Sequence, residues 1–220
     1  MPREGFFYPW SPSFSMADFL VVIRSGATDY DRQGRIRGTL DIPLCAEGIA
    51  DAERAAAKLA TPSANGLTIT AIYTSSAACA VETASIVGRA VGLRPRTAAE
   101  LENLDQGLWQ GMLVEDLRRK QPRLYRQWQD NPWSVSPPEG ELLEEACGRV
   151  EDALVKLLKR HAGGRIALVV PPPLDQIIRW LVAGESIGDL WSLDAAQSAV
   201  VEIPLAAQWT ATPALEKIRL

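Results

Sequence analysis

Histidine is almost missing from this chain: His161 is the only one among 220 residues. Zinc sites draw on clusters of His and Cys, so a lone His with no Cys-x-x-Cys pair gives no metal site. Cysteine is also scarce. Cys45, Cys79 and Cys147 are widely spaced and odd in number. That argues against a disulfide framework and for a reducing, cytoplasmic setting. Charge of one sign is not in excess: 23 Lys plus Arg against 27 Asp plus Glu give a formal net charge of -4. With no long run of one sign, the chain lacks the basic footprint of a nucleic-acid binder. No apolar run approaches the ~20 residues that span a bilayer. The N-terminal stretch "MPREGFFYPWSPSFSM" puts acid and Pro where an export signal needs an unbroken apolar core. Neither nucleic acid nor membrane is therefore expected as a partner, and no cofactor is expected.

What remains is an ordinary globular composition, 47% apolar and 23% charged, in a chain of one-domain length. Residues 1–15 mix Pro, Ser and aromatics without periodicity and read as an irregular arm, or as an upstream extension if Met16 is the true start. Its Phe6, Phe7, Tyr8 and Trp10 could dock on a groove of this chain or of a partner. Residues 16–220 read as one domain, because strand-like and helix-like segments alternate with no linker or repeat. Strands are predicted at 18–24, 69–74, 165–170 and 198–205, with a short extended piece at 94–100. Helices are predicted at 46–60, 78–91, 112–130 with an interruption at Pro122, 140–161 and 174–184. This alternation predicts a three-layer α/β/α sandwich around a mostly parallel sheet.

The first strand carries the chemistry. In "DFLVVIRSGAT", the apolar run Phe19–Ile23 is cut off by Arg24, Ser25 and Gly26. Open α/β sheets bind ligands where their strands end, so this tip should belong to a site. The text that follows, "RSGATDYDRQGRIRGTLDIPLCAEG", has Gly34, Arg35, Gly38, Asp41, Pro43, Leu44 and Gly48 in a distinctive register. Further segments are "IYTSSAACAVETASIVGRAVGL", "LENLDQGLWQG", "PPEGELLEEACGRV" and "RIALVVPPP". Together they resemble the histidine phosphatase superfamily, the phosphoglycerate-mutase-like proteins, over residues 18–218.

In that family, as the resemblance implies, a first His takes the phosphoryl group. Two Arg and a second His hold the phosphate oxygens, and a Glu protonates the leaving oxygen. The nucleophile must be activated, the dianion needs several fixed cationic donors, and the alkoxide needs an acid. Laid on this chain, the first Arg is kept as Arg24. The nucleophile falls on Ser25, the second Arg on Cys79, the acid on Asn103 and the second His on Pro172, within Pro171–Pro173. The family's loop Asn falls on Asp31.

Each loss has a physical weight. Without Arg at 79 and His at 172, phosphate holding weakens by roughly 3–6 kcal/mol. Without the acid, leaving groups that need a proton lose a further factor of about 10²–10⁴. Asp31 adds negative charge where phosphate would sit. Ser25 needs a base. His161, at a predicted helix end before "GG", reads as a solvated cationic cap rather than as that base. Three consecutive prolines offer no N–H donors to an oxyanion and read as a rigid turn.

The expectation is a pseudo-phosphatase: a binding or regulatory module with no intact catalytic set. Its pocket would be lined by Arg24, Ser25, Asp31, Arg35, Arg37 and Asn103 and would take a small anionic or polar metabolite. The alternative is a slow phosphomonoester phosphatase or hydrolase that uses Ser25, or Cys79 with Arg24 beside its thiol. A homodimer through the aromatic arm and the sheet edge near 198–205 is compatible with either.

Overall fold

Alternation of period two builds the sheet. In β1 (Phe19–Arg24), Leu20 and Val22 face one side while Val21 and Ile23 face the other, and all four are buried. The computed structural model describes residues 17–61, 68–187, 190–191 and 199–205, so the arm at 1–15 lies outside the described residues. Within them, β1 is joined by β2 (Ile69–Thr74), β3 (Arg96–Thr97), β4 (Arg165–Val170) and β5 (Val200–Pro204) in the order β3-β2-β4-β1-β5. Only β5 runs antiparallel, against β1. The other pairings are parallel. β4 sits at the centre with every residue buried, as a strand covered on both faces must be.

The two faces are covered separately. α6 (Leu143–Arg160) and α7 (Leu174–Ala183) pack on the Leu20/Val22 face together with Leu117 of α4 (Val114–Lys120) and Trp128 of α5 (Pro122–Asp130). α2 (Ala46–Ala60) and α3 (Ala78–Val91) pack on the Val21/Ile23 face through Ala55, Ala56, Leu59, Ala80, Ala84 and Val87. The three-layer, mostly parallel sandwich expected from the sequence is the observed fold.

Differences are local. The extended piece expected at 94–100 is a strand only at Arg96–Thr97 and then a 3-10 turn at Ala99–Leu101. Helix α6 starts three residues later than expected. Glu139, at a φ of 61°, and Gly140 form a turn, and the Glu145 carboxylate then accepts the Leu142 N–H at 3.0 Å to open the helix. Pro122 divides 112–130 into α4 and α5 and sits at the first turn of the second, where its missing N–H costs nothing. A four-residue helix, α1 (Asp29–Arg32), had no apolar period to announce it.

Two glycines set the distance between the tip of β1 and the start of α2. A Cβ on Gly26 would lie 2.1 Å from the Gly48 carbonyl oxygen, and one on Gly48 would lie 2.0 Å from the Ala27 oxygen. That backbone approach lets the Cys45 N–H donate to the Ala27 oxygen at 3.0 Å and clamps the loop after Ser25. Gly48→Ala should therefore destabilise the protein by about 1–3 kcal/mol. Urea denaturation would show this as a lowered midpoint, and an unchanged midpoint would contradict the close approach.

Candidate functional site

The carboxyl ends of β1 and β4 lie side by side, as the parallel pairing Arg24 to Val170 requires. Arg24 ends β1, and its Nε donates to the Asp175 Oδ2 at 2.9 Å. Asp175 is brought there by the first turn of α7, which the Pro171–Pro173 turn aims at the strand tips. Ser25 follows, with its N–H donating to the Val170 oxygen at 2.9 Å. The residue is 5% exposed, and its hydroxyl has no hydrogen-bond partner among the described residues. Among the described residues no histidine or lysine hydrogen-bonds to this hydroxyl.

A second buried ion pair stands beside the first. Thr28 caps α1, and the Asp31 Oδ2 accepts both the Thr28 N–H and its hydroxyl at 2.7 Å. The same oxygen lies 3.3 Å from Arg37 Nη1. That guanidinium nitrogen also donates to the Cys79 sulfur at 3.3 Å. The Arg37 side chain is 4% exposed and Cys79 is 1% exposed. The sequence reading placed Arg24 beside the Cys79 thiol. The structure places the Arg37 Nη1 on that sulfur, and the Arg24 Nε is engaged by Asp175. It also shows that Asp31 is not an uncompensated negative charge: its carboxylate is engaged by Thr28 and Arg37.

Asn103 works as a tie between segments. Its Nδ2 donates to the Gly38 oxygen at 2.7 Å and to the Pro172 oxygen at 3.0 Å. An amide has no acidic proton to give a leaving alkoxide, so this position bridges loops where the resemblance would put an acid. Pro172 contributes a carbonyl acceptor in place of a ring nitrogen. Arg35 stands at the rim. Its Nη1 donates to the Gly111 oxygen at 2.6 Å and its Nε to Gln33 at 2.7 Å, with the guanidinium over the Tyr30 ring.

The structure thus brings Arg24, Ser25, Asp31, Arg37, Cys79, Asn103 and Pro172 to one end of the sheet, with Arg35 at its edge. A small cavity of about 50 Å³ opens among Asp31, Arg35, Arg37, Gln106, Pro172 and Trp191. Sequence reasoning missed Asp175 and Gln106. Asp175 was detectable as an acid in the first turn of a helix following a strand that ends in the site. Gln106, inside "LENLDQGLWQG", carried no signal of its own. Among the described residues no group of His, Cys, Asp and Glu could hold a metal ion, and no helix is long and apolar enough to cross a membrane.

His161 is not part of the site. It terminates α6, before β4 begins, so the six residues of β4 separate it from the strand tips. The structure corrects the expected solvated cation. The His161 Nε2 lies 2.9 Å from the Tyr73 hydroxyl with the two rings edge-on, and burial, then Arg160 and Arg96, lower its pKa from 6.5. The unfolded chain therefore binds more protons than the folded one near that pH. The contribution is present above the unfolded value and is lost as pH falls through the lowered folded value. Stability in urea should decline from about pH 7 to about pH 5, and His161→Gln should flatten that part of the profile. An identical slope in the variant would contradict the contact.

Comparison with known proteins places these observations. A family model described as histidine phosphatase superfamily (branch 1) matches residues 20–211. Phosphoserine phosphatase 1 of Hydrogenobacter thermophilus is 27% identical over 173 residues, covering 79% of this chain and 80% of that one. Phosphoglycerate mutase-like protein 4 of Arabidopsis thaliana is 30% identical over 152 residues, covering 68% of this chain and 64% of that one. Among solved structures, Bacillus stearothermophilus YhfR superposes with a TM-score of 0.73 at 25% identity, covering 86% of this chain and 91% of that one.

Proposed function

The chain belongs to the histidine phosphatase superfamily, and we propose that it is a catalytically silent member that works as a small-molecule binding module. The observation that carries this reading is Ser25. It occupies the place where the resemblance puts the nucleophilic His, and its hydroxyl is buried with no hydrogen-bonded base among the described residues to take its proton. The surrounding changes agree with it. Asn103 offers no acid, and the two buried arginines of the site are each paired with an aspartate. A phosphoryl dianion needs several cationic donors, and among the described arginines of this site only Arg35 at the rim is held by neutral partners. The loss of four of five roles supports a fold kept for recognition. The three cysteines are free and buried, which supports a reducing, cytoplasmic location.

A second reading, a slow phosphomonoesterase, is favoured by one contact: the Arg37 donor beside the Cys79 sulfur places a charged group at a nucleophilic atom. One assay separates the two. Purified protein is given an aryl phosphate and 3-phosphoglycerate from acid to neutral pH, beside Ser25→Ala and Cys79→Ala. The silent reading expects no turnover above that of either variant. Turnover abolished by Cys79→Ala or Ser25→Ala would establish the enzyme and name its nucleophile.

A further inference from the structure

Arg37 has a use for its guanidinium that the ion pair does not consume. Nη1 is occupied by Asp31 and Cys79. Nε and Nη2, which share the opposite edge of the planar group, are buried and have no hydrogen-bond partner among the described residues. That edge is the two-donor fork that grips two oxygens of one anion. Leaving two charged donors unmade in a buried position is costly, so their arrangement is informative. Gln106 repeats the pattern. It is 1% exposed, and neither its amide nitrogen nor its amide oxygen has a partner among the described residues. Asn103 adds an unpartnered acceptor, Oδ1, from the side chain that ties Gly38 to Pro172. Arg37, Gln106, Gly38 and Pro172 all line the same cavity.

Charge decides which anion fits. The pairs Arg24–Asp175 and Arg37–Asp31 contain two cations and two anions, and Arg35, which lines the cavity on neutral partners, adds one cation. A dianionic phosphate would bring one charge more than the surplus cation Arg35 meets, with Asp31 3.3 Å from the guanidinium it must share. A monoanion with two oxygens in one plane matches the fork without that excess. The Gln106 amide oxygen, without a partner among the described residues, further calls for a hydrogen-bond donor on the ligand.

We propose that the cavity at the carboxyl end of the sheet binds a small hydroxycarboxylate or aminocarboxylate through the Nε/Nη2 edge of Arg37, with Gln106 receiving its donor group, and that it discriminates against phosphate. The proposal rests on the silent binding-module reading and gives it a ligand class. It also gives the guanidinium missing at Cys79 a new origin, since Arg37 reaches that sulfur from a different segment of the chain.

The test uses the full chain with glycolate and inorganic phosphate as probes, by calorimetry and by tryptophan fluorescence, because Trp191 lines the cavity. Glycolate is expected to saturate with a millimolar Kd and phosphate to bind more weakly. Arg37→Gln should weaken glycolate by about tenfold or more. Asp31→Asn, which keeps a capping side chain on α1, should raise phosphate affinity by about tenfold as the counter-charge goes. No glycolate binding, phosphate binding tighter than glycolate, full binding by a folded Arg37→Gln, or unchanged phosphate affinity in Asp31→Asn would each overturn the proposal. If Arg37→Gln does not fold, the Asp31→Asn result decides. Phosphatase turnover would instead sink the silent reading while leaving glycolate binding as measured, so the two failures are distinguishable.

Discussion

The Arg37 guanidinium, held between the Asp31 carboxylate and the Cys79 sulfur, governs the electrostatics at this end of the sheet. It supplies cationic donors at the position where the resemblance implies a second arginine, and Asp31 cancels its charge. The Arg24–Asp175 pair does the same on the other side of Ser25. Removing the Asp31 anion would leave the buried Arg37 charge without its carboxylate, a cost of about 3–5 kcal/mol. Both pairs stand at the strand tips, and each sets an arginine against an aspartate, so the proposed silence toward phosphate rests on them as well as on Ser25.

The scaffold below the site is regular. Gly26 and Gly48 hold the β1 tip against α2, the Ser25 N–H completes the ladder to Val170, and β4 is buried along its whole length. Fold and chemistry are separable in such proteins: the sheet and its helices position a set of strand tips, and the side chains at those tips decide what is done there. Here the tips are positioned, and Arg24, Asp31, Arg37 and Asn103 at those tips hold neighbouring groups of the same chain.

Much of this was legible in the amino-acid sequence, for identifiable reasons. The apolar runs at 69–74 and 165–170 and the helices at 46–60 and 78–91 coincide with the observed elements because their burial is regular and their ends carry turn or cap residues. Ser25, Cys79, Asn103 and Pro172 converge because the motif register fixed their strand tips and loops. What escaped was pairing. Nothing local tells Arg24 to choose Asp175, 151 positions away, or sends Arg37 to Cys79. His161 was misjudged for the same reason: its neighbour Tyr73 comes from a strand 88 positions earlier. Helix α1 is too short to show a period, and it is made by the Thr28–Asp31 cap.

The central claim is that no atom at this site accepts a phosphoryl group, and covalent capture tests it most directly. The purified chain would be incubated with acetyl phosphate and with an aryl phosphate, quenched in acid and at neutral pH, and its intact mass recorded. The account expects a mass unchanged from the untreated protein under both quenches. An added phosphoryl group that maps to Ser25 or Cys79 would contradict it and would make this chain an enzyme with a substituted nucleophile.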